Sequence, residues 1–449
     1  MGAAPSPPSQ RVGRSAILLV ALVAGCECSS RGPSEPAGPR VAWTYAPASV
    51  DWDVPAAVAA SPDGVVLLAW SWTPDEADRG SAPPRMPRTA SLSLVKLDLA
   101  GDPVWTRTFG GHPGDLAFDL LVTPAGEIVV VGETRGLALD GLAPLAASGR
   151  DGFVAWFDRE GRPLRVVRVG GSGDERLLGL ARRDDGSLLV AGGTSSSDLV
   201  PGRAVAGSMD GLLVALAPDG DVLWQRAFGG EGVEIATAAG DGFVGGIASS
   251  SALDLDGARA DGLGRFDTWV ARLDASGSAR WLESLGGPGD DYAYDLAADA
   301  DGILLGGVTQ GDDLLARGLW QSYVERVAPD GARTPIWSAC CVHYDYAIAL
   351  APAGDRLVIA SSFDGPSFDV GGVTLRVTAA EDDVTAYAAE IDAGGRARWA
   401  LALGHESPTR RDFNVHAVRV GGGDVVVAMP SWRDGGYDVR VVRLVPPSR

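Results

Sequence analysis

Short apolar runs separated by turn residues recur along this chain from about Val41 to the C-terminus. Within a run, apolar and polar residues alternate, as in residues 270–273 (VARL), and a period of two is typical of half-buried β-strands. No segment of the sequence sustains the 3.6-residue period of an amphipathic helix. Asp-Gly pairs, or Asp followed closely by Gly, separate neighbouring runs and favour short hairpin turns. The pattern therefore predicts an all-β chain.

The apolar runs fall into a unit that is repeated seven times. Residues 91–134, 151–194 and 267–309 share one frame of four runs, with a Gly-Gly loop near the middle. One position marks the phase, at intervals of 56 to 62 residues: Trp43, Trp105, Leu164, Trp224, Trp281, Trp337 and Trp399. Four antiparallel strands per unit, seven times over, predict a seven-bladed β-propeller.

The phase of the repeat also predicts how the ring closes. The chain enters the fold on a Trp-type strand, residues 41–45, and ends on the preceding strand type, residues 437–444. If the Trp strand is outermost in each blade, the first strand pairs with the last and completes the seventh blade. Such closure removes two exposed sheet edges.

The first 25 residues have the pattern of an export signal. Arg11 and Arg14 precede nine apolar residues, 16–24 (AILLVALVA), which are too few to span a bilayer. The sequence that follows, Val-Ala-Gly-Cys at 23–26, resembles the lipobox of bacterial lipoproteins. That resemblance implies cleavage before Cys26 and acylation of its sulfur and new amino group.

The lipobox resemblance sets expectations for domain organisation and location. Residues 1–25 are the signal peptide, the polar and Pro-rich residues 26–40 are a flexible tether, and 41–449 are the propeller. Two or more acyl chains, palmitate among them, anchor a protein stably, so we expect contact with the membrane through the lipid alone. Glu27, rather than Asp, follows the cysteine, which favours the outer membrane over the inner membrane of the cell envelope.

Composition narrows the classes of partner. The hydrophobic fraction of 46% is ample for a packed core, and the net charge is −20. A protein that binds phosphate backbones needs clustered Lys and Arg, so the charge argues against nucleic acid. The acidity suits a soluble, monomeric exported protein, or one that meets cations or basic partners.

The repeat frame resembles a family of bacterial seven-bladed propeller repeats found in exported proteins. The matching elements are an Asp-x-x-Gly-x-x-x-Trp hairpin, seen with slightly longer spacing at 274–281, and a Gly-Gly-x-Gly-Asp loop at 110–115, 170–174 and 286–290. The resemblance covers about 400 residues. It implies the fold and leaves the ligand open, because function lies in loops carried by such scaffolds.

One end of the predicted propeller carries the variable loops. In each blade the first and third turns are short, whereas the second turn is long and variable, as at 135–150, 195–209, 249–266, 310–321 and 362–383. The Gly-Gly loops that link blades share the end of the second turns. We expect this end to bind a partner, which is a protein, a peptide or a glycan.

Acidic residues recur near the start of each inner strand. Aligned units give Asp53, Asp115, Asp174, Asp290 with Asp291, Asp345 and Asp412, and the fourth unit offers Glu231 or Glu234. Either these acids form a ring at the channel mouth that binds a cation, or each accepts backbone N–H bonds in its own turn. The second interpretation is favoured because the sequence contains no Asp-x-Asp-x-Asp-Gly loop.

Two vicinal cysteines interrupt the repeat. Cys340 and Cys341 align with the Gly-Gly pair of another unit and, in an exported protein, are expected to be oxidised. They could pair with each other, or one could reach Cys28. With His343 and Tyr344 beside them, they form the most distinctive loop on the candidate face, and a structural role is favoured over a chemical one.

The sequence favours a binding or scaffold protein over an enzyme. A propeller enzyme acting on polysaccharide needs paired carboxylates, and no acid departs from the repeat frame in a way that marks a pair. His112, His343, His405 and His416 are far apart in sequence, so no metal cluster is indicated. The Gly-x-x-x-Trp hairpin also resembles quinoprotein dehydrogenases, although those have eight blades and another Trp register. No catalytic residue, cofactor or metal is therefore predicted.

Overall fold

The structure is a computed structural model in which Ala37–Arg449 form one compact unit. It describes residues 38–47, 52–73, 91–202, 205–240, 242–310, 320–342, 348–378, 384–407, 415–433 and 436–447. Among these residues, no helix has the length and apolar character needed to cross a bilayer.

Seven four-stranded antiparallel sheets form the blades of a β-propeller, as the repeat predicts. Blade 1 contains β2 (Trp52–Ser61), β3 (Gly64–Trp72), β4 (Ser91–Asp98) and β5 (Pro103–Gly110). Blade 2 contains β6 (Leu116–Val122), β7 (Ile128–Thr134), β8 (Asp151–Phe157) and β9 (Pro163–Val169). Blade 3 contains β10 (Glu175–Arg182), β11 (Leu188–Thr194), β12 (Asp210–Leu216) and β13 (Val222–Phe228).

The remaining blades follow the same order, and two of them carry an extra hairpin. Blade 4 contains β14 (Glu234–Gly240), β15 (Phe243–Ala248), β18 (Asp267–Leu273) and β19 (Ala279–Leu285), with the hairpin β16 (Ala252–Leu255) and β17 (Ala258–Asp261) inserted. Blade 5 contains β20 (Asp291–Asp299), β21 (Gly302–Thr309), β22 (Trp320–Val327) and β23 (Arg333–Val342). Blade 6 contains β24 (Ala349–Ala353), β25 (Arg356–Asp364), β28 (Val384–Asp392) and β29 (Ala397–Ser407), with the hairpin β26 (Ser367–Val370) and β27 (Val373–Arg376) inserted.

The N-terminal strand closes the ring. Blade 7 contains β30 (His416–Arg419), β31 (Val425–Arg433), β32 (Gly436–Val445) and, as its outer strand, β1 (Arg40–Tyr45). Strand β1 pairs antiparallel with β32, with Tyr45 opposite Val441. The predicted closure is confirmed, and it joins the two ends of the described chain through backbone hydrogen bonds.

The hydrophobic core lies between neighbouring blades. Strands β7, β8, β11 and β12 are buried over their whole length, because the two neighbouring blades cover the two faces of each blade. The alternation seen in other strands is lost there, as in residues 128–131 (IVVV). The core is therefore a set of apolar layers around the ring rather than one central cluster.

The repeated tryptophan connects a blade to the next at four boundaries, whereas the buried indole N–H groups of Trp337 and Trp399 make no such bond with the described residues. At the four boundaries the indole N–H donates to a carbonyl oxygen in the third turn of the following blade, as Trp43 does to Leu99 at 3.0 Å and Trp281 to Pro329 at 2.9 Å. Trp105 and Trp224 make the same contact. A donor on a large apolar ring thus both fills the gap between blades and satisfies a turn carbonyl.

On β9, the outer strand of blade 2, Arg165 and not Leu164 occupies the Trp position. The assignment of that position to Leu164 is therefore wrong. The strand register places Arg165 opposite Trp156, just as Trp105 lies opposite Lys96. The Arg165 Nη2 atom donates to the Pro218 carbonyl oxygen at 2.6 Å, which is the equivalent third-turn contact. Arg at the Trp position keeps the hydrogen bond and loses the apolar ring. A pattern of apolar residues therefore points to the neighbouring Leu164 instead.

Two of the long second turns do not remain at one end of the molecule, which corrects the expectation for 249–266 and 362–383. Both contain hairpins that fold back along the outside of their blades and bury alternate apolar residues, Leu253 and Leu255 in one and Phe368 and Val370 in the other. The tip of the second hairpin reaches the third turn, where Ala397 N donates to the Gly371 oxygen at 2.9 Å. The burial of these side chains accounts for the fold-back.

Candidate functional site

The loop face is the end of the propeller that carries the second turns and the Gly-Gly loops between blades. These two sets of loops are bonded to each other. Gly173 N donates to Ser196 Oγ at 2.7 Å, and Ser172 N donates to Asp198 Oδ1 at 2.8 Å. Gly232 N donates to Ser250 Oγ at 2.8 Å one blade further on. The described part of the loop face over blades 2 to 4 is therefore a connected surface.

The acid that precedes or begins an inner strand, here called the repeat acid, is buried in blades 2 to 5. Asp115, Glu175, Glu234 and Asp291 are at most 1% exposed. Glu175 accepts Gly171 N at 2.9 Å and Thr194 Oγ1 at 2.6 Å, and Asp115 accepts His112 N at 3.0 Å and Thr134 Oγ1 at 2.6 Å. These carboxylates tie the Gly-Gly loop to the second strand, which is the structural role favoured from the sequence.

The structure corrects one repeat acid and decides between the two candidates for another. In blade 3 the buried acid is Glu175, whereas Asp174 is exposed and accepts Arg150 N at 3.1 Å. In blade 4 it is Glu234 and not Glu231. The signal was available, because each buried acid follows the second glycine of its Gly-Gly pair by four residues. Accepting Glu as well as Asp at that spacing identifies all four.

The other predicted face residues have different surroundings. Asp53 is 8% exposed and accepts a hydrogen bond from Ser71 Oγ, and Asp290 forms an ion pair of 2.6 Å with Arg265. Outside the described residues lie Cys26, Cys28, His343, Tyr344, Asp345, Asp412 and the side chains of Cys340 and Cys341.

A second buried acid accompanies the repeat acid at two blade boundaries. Burial raises the pKa of Glu234 and of Asp291, and the neighbouring carboxylates Asp210 and Asp267 raise each pKa further. Leu263 N and Gly264 N donate to Asp267 Oδ2 at 2.7 and 3.0 Å. Within the described ranges, no three His, Cys, Asp or Glu side chains are grouped to hold a metal ion.

The seven inner strands enclose a central channel with a cavity of about 510 Å³. The fourth residue after each repeat acid lines it: Ala57, Asp119, Gly179, Ala238, Asp295, Ala349 and His416. In five of the seven inner strands the pairing register shifts just before this residue. Three ionisable side chains therefore face one cavity from blades 2, 5 and 7.

Each of these three side chains is bonded to the inner strand of the next blade. Leu180 N donates to Asp119 Oδ2 at 2.8 Å, and Leu350 N donates to Asp295 Oδ2 at 2.8 Å. His416 is hydrogen-bonded to the backbone carbonyl of Pro55. The contacts fix the orientation of all three groups at the channel wall.

The channel disfavours charge on these groups. Burial raises the pKa of Asp119 to about 7, and the charge of Asp295 across the channel adds to the effect. Burial also raises the pKa of Asp295 to about 6 and lowers the pKa of His416 to about 4. All three shifts favour the neutral form.

The expectation that no acid departs from the repeat frame is wrong for Asp119 and Asp295. Four of the seven units have Ala or Gly at this position, so a carboxyl there is a departure from the pattern. The departure escapes notice because acids are frequent in the neighbouring turns, and only the position within the strand separates channel acids from turn acids.

Comparison with known proteins assigns no family. No protein-family model matches the chain. The regulatory protein FlaEY of Caulobacter vibrioides is 30% identical over 152 residues, which is 31% of this chain and 16% of that protein. The chain thus spans 16% of the length of that relative.

Solved structures with a similar arrangement are distant in sequence. A protein of unknown function from Dyadobacter fermentans is 12% identical, with 91% of this chain and all of that chain covered and a TM-score of 0.47. The Neurospora crassa Pan2 WD40 domain is 11% identical, with 90% and 98% covered and a TM-score of 0.39. Trypanosoma rangeli sialidase is 11% identical, with 77% and 57% covered and a TM-score of 0.37. The chain is a seven-bladed β-propeller with structural neighbours of unknown function.

Proposed function

We propose that the protein is a binding module of the bacterial cell envelope, anchored by lipid at Cys26, that contacts a protein, peptide or glycan through its loop face. The observation that carries this proposal is the difference between the two ends of the propeller. The opposite end consists of short, similar turns that close on their own Asp, as Asp98, Asp158 and Asp274 do. Variable loops concentrate at the loop face, and binding residues usually lie on such loops.

A patch on the loop face at blades 4 and 5 has the composition of a contact surface. The rings of Tyr292 and Trp320 stack at 5.7 Å between centroids, and Phe266 lies 6.1 Å from Tyr292. Arg265 is beside them, and Leu263 is 50% exposed. Aromatic residues and Arg are enriched where binding energy concentrates, so we name these five residues the mouth patch.

Lipid anchoring at Cys26 is supported by the lipobox resemblance alone. We expect a bacterium expressing the full chain to incorporate an alkyne-tagged fatty acid into it, with the label lost in Cys26→Ser. Cys28→Ser is the matched control and should stay labelled, because only the first cysteine follows the Val-Ala-Gly sequence. Labelling of Cys26→Ser at the wild-type level would refute the anchor.

Binding through the mouth patch is tested by two matched charge insertions. Leu263 and Leu223 are 50% and 55% exposed, the first in the mouth patch and the second on an outer strand. We expect Leu263→Asp to weaken binding of the lipid-free body to isolated cell envelopes at least tenfold, since a charge placed in an apolar contact must be desolvated. Leu223→Asp should bind as the wild type does. Equal binding by all three proteins would rule out the mouth patch.

The alternative function, an enzyme acting on polysaccharide, would have to use Asp119 and Asp295 as its two carboxyls. Each of them already accepts a backbone N–H bond from the next blade. That commitment reduces their freedom to exchange protons with a substrate, so binding is the better-supported function.

A further inference from the structure

The central channel offers a ligand-sized site that is separate from the mouth patch's proposed partner. Its cavity of about 510 Å³ lies within the range of small-molecule sites, roughly 300–1,000 Å³. Residues from all seven blades line it, and the repeat puts Ala or Gly at four of the seven equivalent positions. The other three positions have the ionisable residues Asp119, Asp295 and His416.

Among the described residues, no Lys or Arg is bonded to either channel carboxyl. The described residues that line the cavity also include no Lys or Arg. Asp119 and Asp295 accept backbone N–H bonds instead, and the charge of Asp295 acts on Asp119. Burying carboxyls without a counter-ion is costly, and a bound cation would remove that cost.

The positions of the carboxyls suit a ligand held between them. Asp119 belongs to blade 2 and Asp295 to blade 5, which are three blades apart in the ring of seven. The two residues therefore lie on opposite sides of the channel. Leu180 N and Leu350 N fix the carboxyl orientations from the next blades. A pair of fixed acceptors on opposite walls is a preorganised site.

Four aromatic residues stand among the mostly aliphatic residues of the cavity wall. Trp70, Phe118, Tyr292 and Tyr294 line the cavity, and Tyr292 also belongs to the mouth patch. Aromatic faces attract ammonium groups, and the attraction grows when the cation is desolvated, to about 2 kcal/mol. Aromatic rings would not be the first choice for an inorganic ion, which needs oxygen ligands grouped around it.

We propose that the channel binds a small organic cation, an amine or a quaternary ammonium group, between Asp119 and Asp295 and beside the aromatic residues of its wall. The site goes beyond the partner binding proposed for the loop face and does not depend on it. His416 completes the ring as a neutral hydrogen-bonding group, because its imidazole is already bonded to Pro55.

The wild-type protein alone can test the proposal. Choline and its uncharged isostere 3,3-dimethylbutan-1-ol have nearly the same shape and differ in charge. Calorimetric titration of the lipid-free body at pH 8, where the carboxyls are ionised, should show choline binding at least tenfold more tightly than the isostere. Equal binding of both compounds, no saturable binding of choline, or binding of Ca²⁺ in preference to choline would each overturn the proposal.

Substitutions then locate the site. Asp119→Asn and Asp295→Asn keep the size of the side chain and should each weaken choline binding at least tenfold, whereas Asp140→Asn, an exposed acid of the 135–150 loop, should have no effect. Thermal unfolding establishes that each variant is folded. If a channel variant does not fold, the ratio of choline to isostere affinity in the wild type still decides. Wild-type affinity in both folded channel variants would contradict the assignment.

Discussion

The acidic side chains of this protein have three kinds of surroundings. Those in the third turns are half-buried and accept N–H bonds within the turn, as Asp158 does. The repeat acids are buried and connect a Gly-Gly loop to a strand, as Glu175 does. Asp119 and Asp295 face the channel, and the described residues that line it include no Lys or Arg. Position within the repeat, and not residue type, separates these roles.

The pKa of Asp119 predicts a specific pH dependence of stability. In the folded protein the pKa is about 7, raised by burial from an ordinary 3.8, so between these values the folded state holds a proton that the unfolded chain has lost. The free energy of unfolding therefore falls as pH rises from about 4 to about 7. His416 acts in the opposite direction, because its pKa falls from 6.5 to about 4, and its contribution is still growing at pH 6.5, where half of the unfolded-state imidazole is protonated.

The interval from pH 6.5 to 8 isolates Asp119 when the wild type is compared with Asp119→Asn, because both proteins share the contributions of His416 and Asp295. We expect the melting temperature of the wild type to decrease across it and that of Asp119→Asn to stay nearly constant, as measured by circular dichroism. Asp140→Asn, an exposed loop acid, should behave as the wild type. A decrease of the same size in Asp119→Asn would show that other groups cause the dependence.

Single residues also show where sequence is a sufficient guide and where it is not. The six repeated tryptophans are readable because the residue is rare and evenly spaced, and the structure gives each described indole–carbonyl pair the same geometry. Arg165 was missed because it keeps the hydrogen bond while losing the aromatic ring. Physical equivalence of this kind appears only when the acceptor, the Pro218 carbonyl, is seen.

At the level of elements, the strands and their order could be predicted, and two hairpins could not. The period-two pattern and the Asp-Gly turns specify four strands per unit, which the seven sheets confirm. The alternating residues Phe368 and Val370 carry the same signal inside a segment assigned as a loop. The direction of the hairpin, back along the blade, depends on the contact of Phe368 with Tyr387, which lies on β28 beyond the end of the loop, as well as with nearby Phe363.

Strand β1 should contribute more to stability than its six residues suggest. Trp43 and Tyr45 pack against a cluster that includes Val439 and Val441, and the strand covers the edge of β32. We expect deletion of residues 38–45 to lower the free energy of unfolding by about 3 kcal/mol or more, from lost apolar burial and an uncovered edge. Urea unfolding measures the loss.

The matched control for that deletion removes residues 27–37 and leaves β1 in place. It should unfold at the same urea concentration as the wild type, because the paired strand begins at Arg40. If both deletions behaved alike, closure by β1 would not contribute to stability.

For the molecule as a whole, closure and repetition produce two ends with different character. One end is built from short turns bonded within themselves, and the loop face is built from loops bonded between blades. The architecture follows from the repeat, so sequence could predict it. The channel site could not be predicted in the same way, because it depends on which residues of seven separate units face one cavity.

The most direct test of the account is a footprint of the bound state. Hydrogen–deuterium exchange of the lipid-free body should be compared with and without isolated cell envelopes. The account predicts slower exchange with envelopes in the loop-face segments 170–174, 195–202 and 262–266, with the third turns 98–102, 158–162 and 217–221 unchanged. Slower exchange confined to those third turns, or no change anywhere, would contradict the claim that the loop face is the binding surface.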